Sequence, residues 1–145
     1  MTNDNPYWAL VYGTLKKGER NDIQMLNAKF VREDRTAQPN FLMREYASAS
    51  SPGSFSPGVL EAEPGKGSHI EGELYSFDEA LLAKLDLFEG LPRGIYKRLR
   101  HVPLEGGGLA DIYIRLARGN IVMPPKFVHF DDTRNSYKWV EKNAY

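Results

Sequence analysis

The stretch YSFDEALLAKLDLFEGLPRGIYKR, residues 75–98, carries the clearest helical pattern in the chain. Its start, Ser76 to Glu79, matches a capping box, in which the serine hydroxyl and the glutamate carboxylate each satisfy a free backbone N–H. Gly90 supplies a stop signal, and Pro92 prevents the helix from continuing. The pattern therefore predicts a short amphipathic helix that ends just before Gly90.

One carboxylate lies on the apolar side of this predicted helix. At about 100° per residue, four apolar side chains share a stripe about 120° wide, and Glu89 projects inside it. The four are Leu81, Leu82, Leu85 and Phe88. Partial burial and the negative end of the helix dipole both disfavour a charged carboxylate, so we expect the pKa of Glu89 to rise from about 4.3 toward neutrality. The same projection also fits a frayed last turn in which Glu89 points to water.

Short segments with strand character lie on both sides of the helix. The apolar run from Trp8 to Tyr12 ends at Gly13, as expected for a buried strand that leads into a turn. Residues 21–28 fit one or two helical turns. Further strands are predicted at residues 29–35, 40–44, 58–62, 69–77, 96–104 and 109–116. Several strands and one helix without regular alternation predict an α+β domain with a mixed or antiparallel sheet. The same pattern is compatible with a sheet that closes into a barrel.

Two segments lack a regular pattern. Residues 47–58 read ASASSPGSFSPG, a Ser/Pro/Gly composition that predicts a long surface loop or a lid. About the last 25 residues contain Pro124-Pro125 and no clear period, which predicts coil with room for one short helix. We therefore expect one domain over residues 1–145, with 117–145 as a C-terminal extension packed on it.

The composition narrows the classes of function. Lys plus Arg and Asp plus Glu both total 19, and the basic residues form no run, which argues against a nucleic-acid surface. The absence of cysteine excludes thiolate nucleophiles and cysteine-ligated metals. No window approaches the run of about 20 apolar residues that spans a bilayer. We expect a cytoplasmic monomer that contacts a small molecule rather than a nucleic acid or a membrane.

Two motifs together carry a family likeness. The first is VYGTLKKG at residues 11–18, and the second combines EGELY at 71–75, LDLFEG at 85–90 and YKR at 96–98. In this order and spacing they resemble the signatures of the γ-glutamyl cyclotransferase-like proteins, and the D-x-F-E motif is most similar to the γ-glutamylamine cyclotransferase branch. The likeness covers about residues 8–116. It implies a small mixed β-barrel with flanking short helices.

The resemblance implies a reaction and a set of residues for it. Such enzymes convert a γ-glutamyl amide to 5-oxoproline and a free amine without a metal or a cofactor, and their catalytic glutamate matches Glu89. One carboxylate with a raised pKa can take a proton from the substrate amine and later return it to the leaving amine. The resemblance and the turn chemistry give these candidates for substrate binding: Tyr12, Gly13, Thr14, Leu15 and Tyr96.

Several candidate residues also have a purely structural interpretation. Tyr12 and Tyr96 fit packing in a barrel core, and Thr14 fits the closure of its turn. Asp86 fits a brace for the helix end better than a role in proton transfer, and Arg98 fits either an ion pair or a substrate contact. The segment between Glu89 and Tyr96 is one residue longer than the family pattern. The three histidines, which lack metal-ligand spacing, are interpreted as non-catalytic: His69, His101 and His129.

Two other functions share the same visible residues. A non-catalytic protein on this fold would use the pocket only to hold a small acidic ligand. A γ-glutamyl hydrolase or acyltransferase would use Glu89 to activate water or another amine. An intact YGTL turn together with Glu89 favours the cyclotransferase, because a pure binder has no need of a base in an apolar stripe.

Overall fold

The computed structural model describes residues 5–48 and 53–141, and within them the chain forms ten strands, one α-helix and two short 3₁₀ helices. The strands are β1 (Tyr7–Val11), β2 (Lys29–Arg35), β3 (Phe41–Ala47), β4 (Phe55–Glu61), β5 (His69–Phe77), β6 (Tyr96–Pro103), β7 (Leu109–Arg115), β8 (Asn120–Ile121), β9 (Val128–Asp131) and β10 (Ser136–Trp139). Helix α1 spans Glu79–Phe88, and the 3₁₀ helices span Asp22–Met25 and Leu91–Arg93.

The strands form one large mixed sheet and one small sheet. The large sheet has the order β6-β7-β1-β5-β10-β9, and β2 also pairs with β5. Strand β1 runs antiparallel to β5 and parallel to β7, while β10 runs parallel to β5. The small sheet has the order β4-β3-β8. The large sheet curls into a partial barrel with one short helix against it, so the predicted α+β barrel-like fold is confirmed.

Strand β1 is buried on both faces because it lies between two hydrophobic cores. Leu10 and Tyr12 pack into the interior of the barrel, whereas Ala9 and Val11 face α1. A continuous apolar run is the pattern expected for a strand covered on both sides. This central position of β1 fixes the turn that follows it, which begins at Gly13.

The start of α1 differs from the sequence prediction. The N-cap is Asp78, whose side chain accepts a hydrogen bond of 3.0 Å from the N–H of Leu81. Ser76, predicted as the cap, instead lies in β5 opposite Trp8. The capping-box prediction was wrong because strand pairing continues through Phe77 and delays the helix. The apolar stripe was correct for Leu81, Leu82 and Leu85, which are buried, whereas Phe88 is 41% exposed.

Replacing Asp78 with alanine is expected to destabilise the protein by about 1 kcal/mol, because the N–H of Leu81 loses its acceptor. Urea denaturation followed by circular dichroism measures the difference. Lys84→Ala, at an exposed position of the same helix, serves as the matched control and should change stability by less than about 0.5 kcal/mol. Equal stability of Asp78→Ala and the control would contradict the assignment of Asp78 as the cap.

The segment after residue 117 is part of the sheets. Strand β8 joins β3, and the hairpin of β9 and β10 joins β5 with Trp139 fully buried. The prediction of coil here was wrong, because strands of two to four residues are too short to show a period.

The predicted loop 47–58 also overlaps two strands, since β3 ends at Ala47 and β4 begins at Phe55. Residues 49–52 of that loop lie outside the described residues.

A buried carboxylate fixes the segment that leads into β9. Oε1 of Glu45, a residue of β3, accepts hydrogen bonds from the N–H groups of Lys126, Phe127 and Val128 at 2.9, 2.7 and 3.1 Å. The carbonyl of Glu45 also accepts from the N–H of Val122 at 2.8 Å. Glu45 is only 1% exposed, so these bonds replace the water that Oε1 loses on folding, whereas Oε2 has no hydrogen-bond partner among the described residues.

Candidate active site

Glu89 closes the last turn of α1. Its N–H donates to the carbonyl of Leu85 at 2.9 Å, and the N–H of Gly90 donates to the carbonyl of Leu87 at 3.0 Å. Gly90 has φ of +72°, a left-handed conformation that ends the helix and that glycine adopts without strain. The last turn is therefore ordered by hydrogen bonds rather than frayed, and the direction of the Glu89 side chain is fixed by the helix.

The Glu89 carboxyl points into a cavity of about 180 Å³. Five segments surround this cavity: the end of β1 with its turn, the start of β4, the end of α1, the start of β6 and the end of β7. Its lining includes Tyr12, Gly13, Thr14, Leu15, Phe88, Tyr96, Tyr113 and Arg115. All of the site residues predicted from the sequence thus meet in one place. The cavity is smaller than the clefts of about 300–1,000 Å³ that hold drug-sized ligands, so it suits a small ligand.

The turn after β1 presents its backbone to the cavity. The carbonyl of Gly13 accepts from the N–H of Lys16 at 3.1 Å, and Asn21 donates to both the carbonyl and the Oγ1 of Thr14 at 2.9 Å. No carbonyl within residues 5–48 and 53–141 accepts a hydrogen bond from the N–H groups of Gly13, Thr14 or Leu15. These N–H groups are therefore available to an anionic or carbonyl oxygen in the cavity.

Gly13 is required by close packing in this turn. A Cβ atom at Gly13 would lie 2.5 Å from Cγ of Pro57, a residue of β4 that lines the same cavity. Any larger residue would therefore displace either the turn or the wall that faces it. The glycine of the YGTL motif is therefore required by its contact with Pro57. The sequence suggested a different reason, namely that the backbone approaches the ligand closely.

Burial governs the protonation of Glu89. Loss of solvent raises the pKa of its carboxyl from 4.5 to about 7. Among the residues that the structure describes, none donates a hydrogen bond to this carboxyl or pairs with it as a cation. A carboxyl without a fixed partner, balanced between its charged and neutral forms near pH 7, can both accept and donate a proton.

Three buried tyrosines line the cavity around Glu89, and the hydroxyl of each donates a hydrogen bond to a group other than Glu89. Tyr12 donates to the carbonyl of Tyr113 at 2.8 Å, Tyr96 to the carbonyl of Pro57 at 2.9 Å, and Tyr113 to Oδ1 of Asp86 at 2.8 Å. Burial raises the pKa of Tyr96 to about 12 and that of Tyr12 well above its usual value, so both stay protonated at neutral pH. Tyr12 and Tyr96 are thus both packed and exposed to the cavity, which reconciles the two interpretations of them.

A family model described as Gamma-glutamyl cyclotransferase, AIG2-like matches residues 9–131 of the chain. The chain belongs to this family.

Relatives of known sequence or structure agree with this membership. Gamma-glutamylaminecyclotransferase of Bos taurus is 34% identical over 121 residues, which cover 82% of this chain and 68% of that protein. Gamma-glutamylaminecyclotransferase A of Danio rerio is 29% identical over 140 residues, 93% of this chain and 74% of that protein. The crystal structure of an AIG2-like protein from Mus musculus matches with a TM-score of 0.62 at 27% identity, over 78% of this chain and 79% of the other. The family predicted from the sequence is confirmed.

Several side chains of the cavity in this family member were not predicted from the sequence, and three of them are large and polar. Tyr113 and Arg115 lie two residues apart on β7 and so share a face, and Arg20 follows the turn after β1. The guanidinium of Arg115 stacks 3.9 Å from the ring of Tyr46, and Arg20 donates to Oγ of Ser54 at 2.8 Å. An arginine that ends an apolar strand was the available signal for Arg115. Nothing in the local pattern distinguishes Arg20.

Two residues of the family's second motif act outside the cavity. Arg98 forms ion pairs with Asp86 at 3.1 Å and with Asp111 at 2.9 Å, and neither Arg98 nor Asp86 lines the cavity. Asp86 therefore braces the helix against β6 and β7, as predicted. Arg98 is an ion-pairing residue rather than a substrate contact, which resolves the alternative that the sequence left open.

The described residues also form concavities that lie away from Glu89. A wider concavity of about 700 Å³ over β2, β5 and β10 is lined by charged residues that pair with one another, such as Arg35 with Glu105. None of the predicted site residues lines it.

Within the described ranges, no group of three or more His, Asp or Glu side chains is placed to hold a metal ion. In the same ranges, no helix has the length and apolar character to cross a membrane.

Proposed function

We propose that this chain is a cyclotransferase that converts a γ-glutamyl amide or γ-glutamylamine to 5-oxoproline and a free amine. One observation carries the proposal: the unpaired Glu89 carboxyl, with its pKa raised to about 7, shares a small cavity with the turn from Gly13 to Leu15. Membership of the γ-glutamyl cyclotransferase, AIG2-like family supports the same reaction. The substrate's own α-amine is the nucleophile, so no serine or cysteine is needed.

Glu89 moves the protons in the proposed reaction. Its carboxylate takes a proton from the substrate α-ammonium, and the freed lone pair attacks the γ-carbonyl carbon to form the ring C–N bond. The π electrons of the carbonyl move onto its oxygen. The tetrahedral intermediate then collapses and breaks the bond to the leaving nitrogen, which receives the proton held by Glu89. The second proton, left on the ring nitrogen, is released and taken up by the departing amine. One carboxyl with a pKa near 7 serves both directions of transfer.

The turn supplies stabilisation and position. The N–H groups of Gly13, Thr14 and Leu15 are suited to hold the substrate carboxylate or the developing oxyanion, because such donors stabilise negative charge that forms in the transition state. Tyr96 and Tyr12 form walls that keep the γ-glutamyl chain folded. Because the attack is intramolecular, a folded chain removes much of the entropic part of the barrier.

The pH dependence of the reaction follows from the pKa of Glu89. Only the ionised carboxylate accepts the ammonium proton, so kcat/KM is expected to fall about tenfold per pH unit below a midpoint near 7. Initial rates between pH 5 and pH 9 measure this limb. A midpoint near 4.5, the ordinary value for a glutamate, would contradict a desolvated Glu89 as the base.

Product analysis tests the proposed reaction against its alternatives. The protein is incubated with γ-glutamyl-ε-lysine, γ-glutamyl dipeptides and γ-glutamyl monoamines, and the products are separated by liquid chromatography with mass detection. Release of 5-oxoproline and one amine supports the proposal. Free glutamate would indicate a hydrolase, and a new γ-glutamyl conjugate an acyltransferase. Saturable binding without any product would identify a non-catalytic binding protein.

A further inference from the structure

Asp86 lies on α1, one turn before Glu89. Its side chain connects the helix to strands β6 and β7. Its carboxylate accepts from the hydroxyl of Tyr113 at 2.8 Å and from Nε of Arg98 at 3.1 Å. Arg98 in turn donates to Asp111 at 2.9 Å, so a charged chain runs from the helix through β6 to β7. The Asp86 side chain is only 23% exposed, and it forms an ion pair with Arg98.

The Tyr113 hydroxyl is held beside Glu89 by this chain. Residues three apart on a helix lie on neighbouring positions of one face, about 5–6 Å between Cβ atoms, so Asp86 and Glu89 are adjacent. The Tyr113 ring lines the Glu89 cavity while its hydroxyl bonds Asp86. Asp86 and Glu89 are the two carboxyls that act electrostatically on this hydroxyl, so Glu89 is the acceptor left to it when Asp86 is removed.

Several other polar side chains around Glu89 donate to other partners. Tyr12 at the end of β1 and Tyr96 on β6 donate to backbone carbonyls. Arg115 on β7 donates to the carbonyl of Ala117 at 2.9 Å, and Arg20 donates to the carbonyl of Phe55 and to the Ser54 hydroxyl. Of the three tyrosine hydroxyls, only that of Tyr113 is held by a side chain. A substitution can therefore release it selectively.

We propose that Asp86 is a positioning residue for Glu89: it holds the hydroxyl hydrogen of Tyr113 away from the Glu89 carboxyl, so that this hydroxyl does not compete with the substrate ammonium for that carboxylate. This role rests on the proposed function of Glu89 as the base. A hydroxyl that donates to a carboxylate stabilises the charged form and makes it a weaker base. Asp86 therefore preserves the basicity that burial gives to Glu89.

The test is a direct titration of Glu89 in the free protein, without substrate. Carbon-detected NMR of the glutamate side-chain carboxyls, assigned by comparison with Glu89→Gln, gives the midpoint of each variant. In Asp86→Ala the released Tyr113 hydroxyl donates to Glu89, and the midpoint is expected to fall by about one pH unit. Asp86→Asn removes the charge but retains an acceptor oxygen, so its midpoint should stay near that of the unaltered chain.

Removing the hydroxyl separates its effect from that of charge. In the double variant Asp86→Ala, Tyr113→Phe the midpoint should return to about 7, because no hydroxyl is left to donate. If it stays as low as in Asp86→Ala, the loss of charge or a redirected Arg98 explains the change, and the proposal is wrong. It is equally wrong if Asp86→Ala leaves the midpoint unchanged.

Tyr113→Phe alone tests the proposal without altering Asp86, which covers the case that Asp86→Ala does not fold. Its Glu89 midpoint should match that of the unaltered chain, whereas a higher midpoint would show that the hydroxyl already donates to Glu89. If the unaltered chain releases 5-oxoproline, the pH profile of kcat/KM gives a second readout. In Asp86→Ala the midpoint of its acid limb should fall by the same amount as the NMR midpoint. Absence of product from the unaltered chain would refute the proposed function, and the titrations would still decide the role of Asp86.

Discussion

Glu89→Gln is expected to lower kcat for the release of 5-oxoproline by about a thousandfold, within the range that a general acid–base group contributes. Glutamine keeps the size and shape of the side chain but cannot take the ammonium proton. Substrate binding should remain nearly unchanged, because the turn from Gly13 to Leu15 still offers its N–H groups. Steady-state kinetics give kcat, and calorimetric titration of the inactive variant gives the affinity.

The same substitution is expected to make the protein more stable at neutral and alkaline pH. The folded-state pKa of Glu89 is raised from 4.5 to about 7, so between these values the native chain holds a proton that the unfolded chain releases. Stability from this group is thus complete below about pH 4.5 and is lost as pH rises through about 7. Glutamine does not titrate, and the gain at pH 8 should be about 2–3 kcal/mol in the free energy of unfolding.

Glu79→Gln provides the matched control on the same helix, since Glu79 is exposed in the first turn. It should retain full activity and show no stability gain at pH 8. A Glu89→Gln variant that keeps its activity would remove Glu89 from the mechanism. Glu89→Gln could also lose activity without becoming more stable at pH 8. That result would show that burial does not raise the pKa of Glu89.

The second large effect concerns stability and the β9–β10 hairpin. Glu45→Leu leaves the N–H groups of Lys126, Phe127 and Val128 without their acceptor inside the protein. Each unsatisfied buried donor costs about 1–3 kcal/mol, and local relaxation recovers part of this, so we expect a loss of about 4 kcal/mol. Denaturant unfolding monitored by the fluorescence of buried Trp139 measures it.

Glu45→Gln is the control at the same position, because its carbonyl oxygen can still accept from these N–H groups. It should cost only about 1 kcal/mol, the difference between a charged and a neutral acceptor. Equal losses for leucine and glutamine would mean that the charge of Glu45, rather than its three bonds to the backbone, stabilises this segment.

The sequence revealed the parts of the site that have a strong local pattern. The 3.6-residue period placed Leu81, Leu82 and Leu85 on the buried side of a helix and put Glu89 in the same stripe. The apolar run of β1 led directly to the turn at Gly13. The contact between the two motifs could be expected only from the family likeness, because the helical pattern by itself left the direction of Glu89 open.

The remaining parts depend on contacts between distant residues. Tyr113 reaches Asp86 across 27 positions of sequence, and Glu45 reaches Phe127 across 82. Neither partner has a local pattern that indicates the other. The helix start was missed for a related reason: the pairing of Ser76 with Trp8 in the sheet prevails over the local capping signal. The expectations of a monomer, of cytoplasmic location and of independence from cofactors stay predictions.

The order of the large sheet also has a kinetic consequence. Strand β1 pairs in parallel with β7 through Ala9 and Asp111, and β5 pairs in parallel with β10 through His69 and Ser136. Such distant pairings make folding slow, on the scale of milliseconds to seconds rather than microseconds. The cavity requires the junction of β1 with β7, so a partly folded chain has no site. Recovery of the proposed 5-oxoproline release during refolding is therefore expected to follow the formation of the β1–β7 pairing.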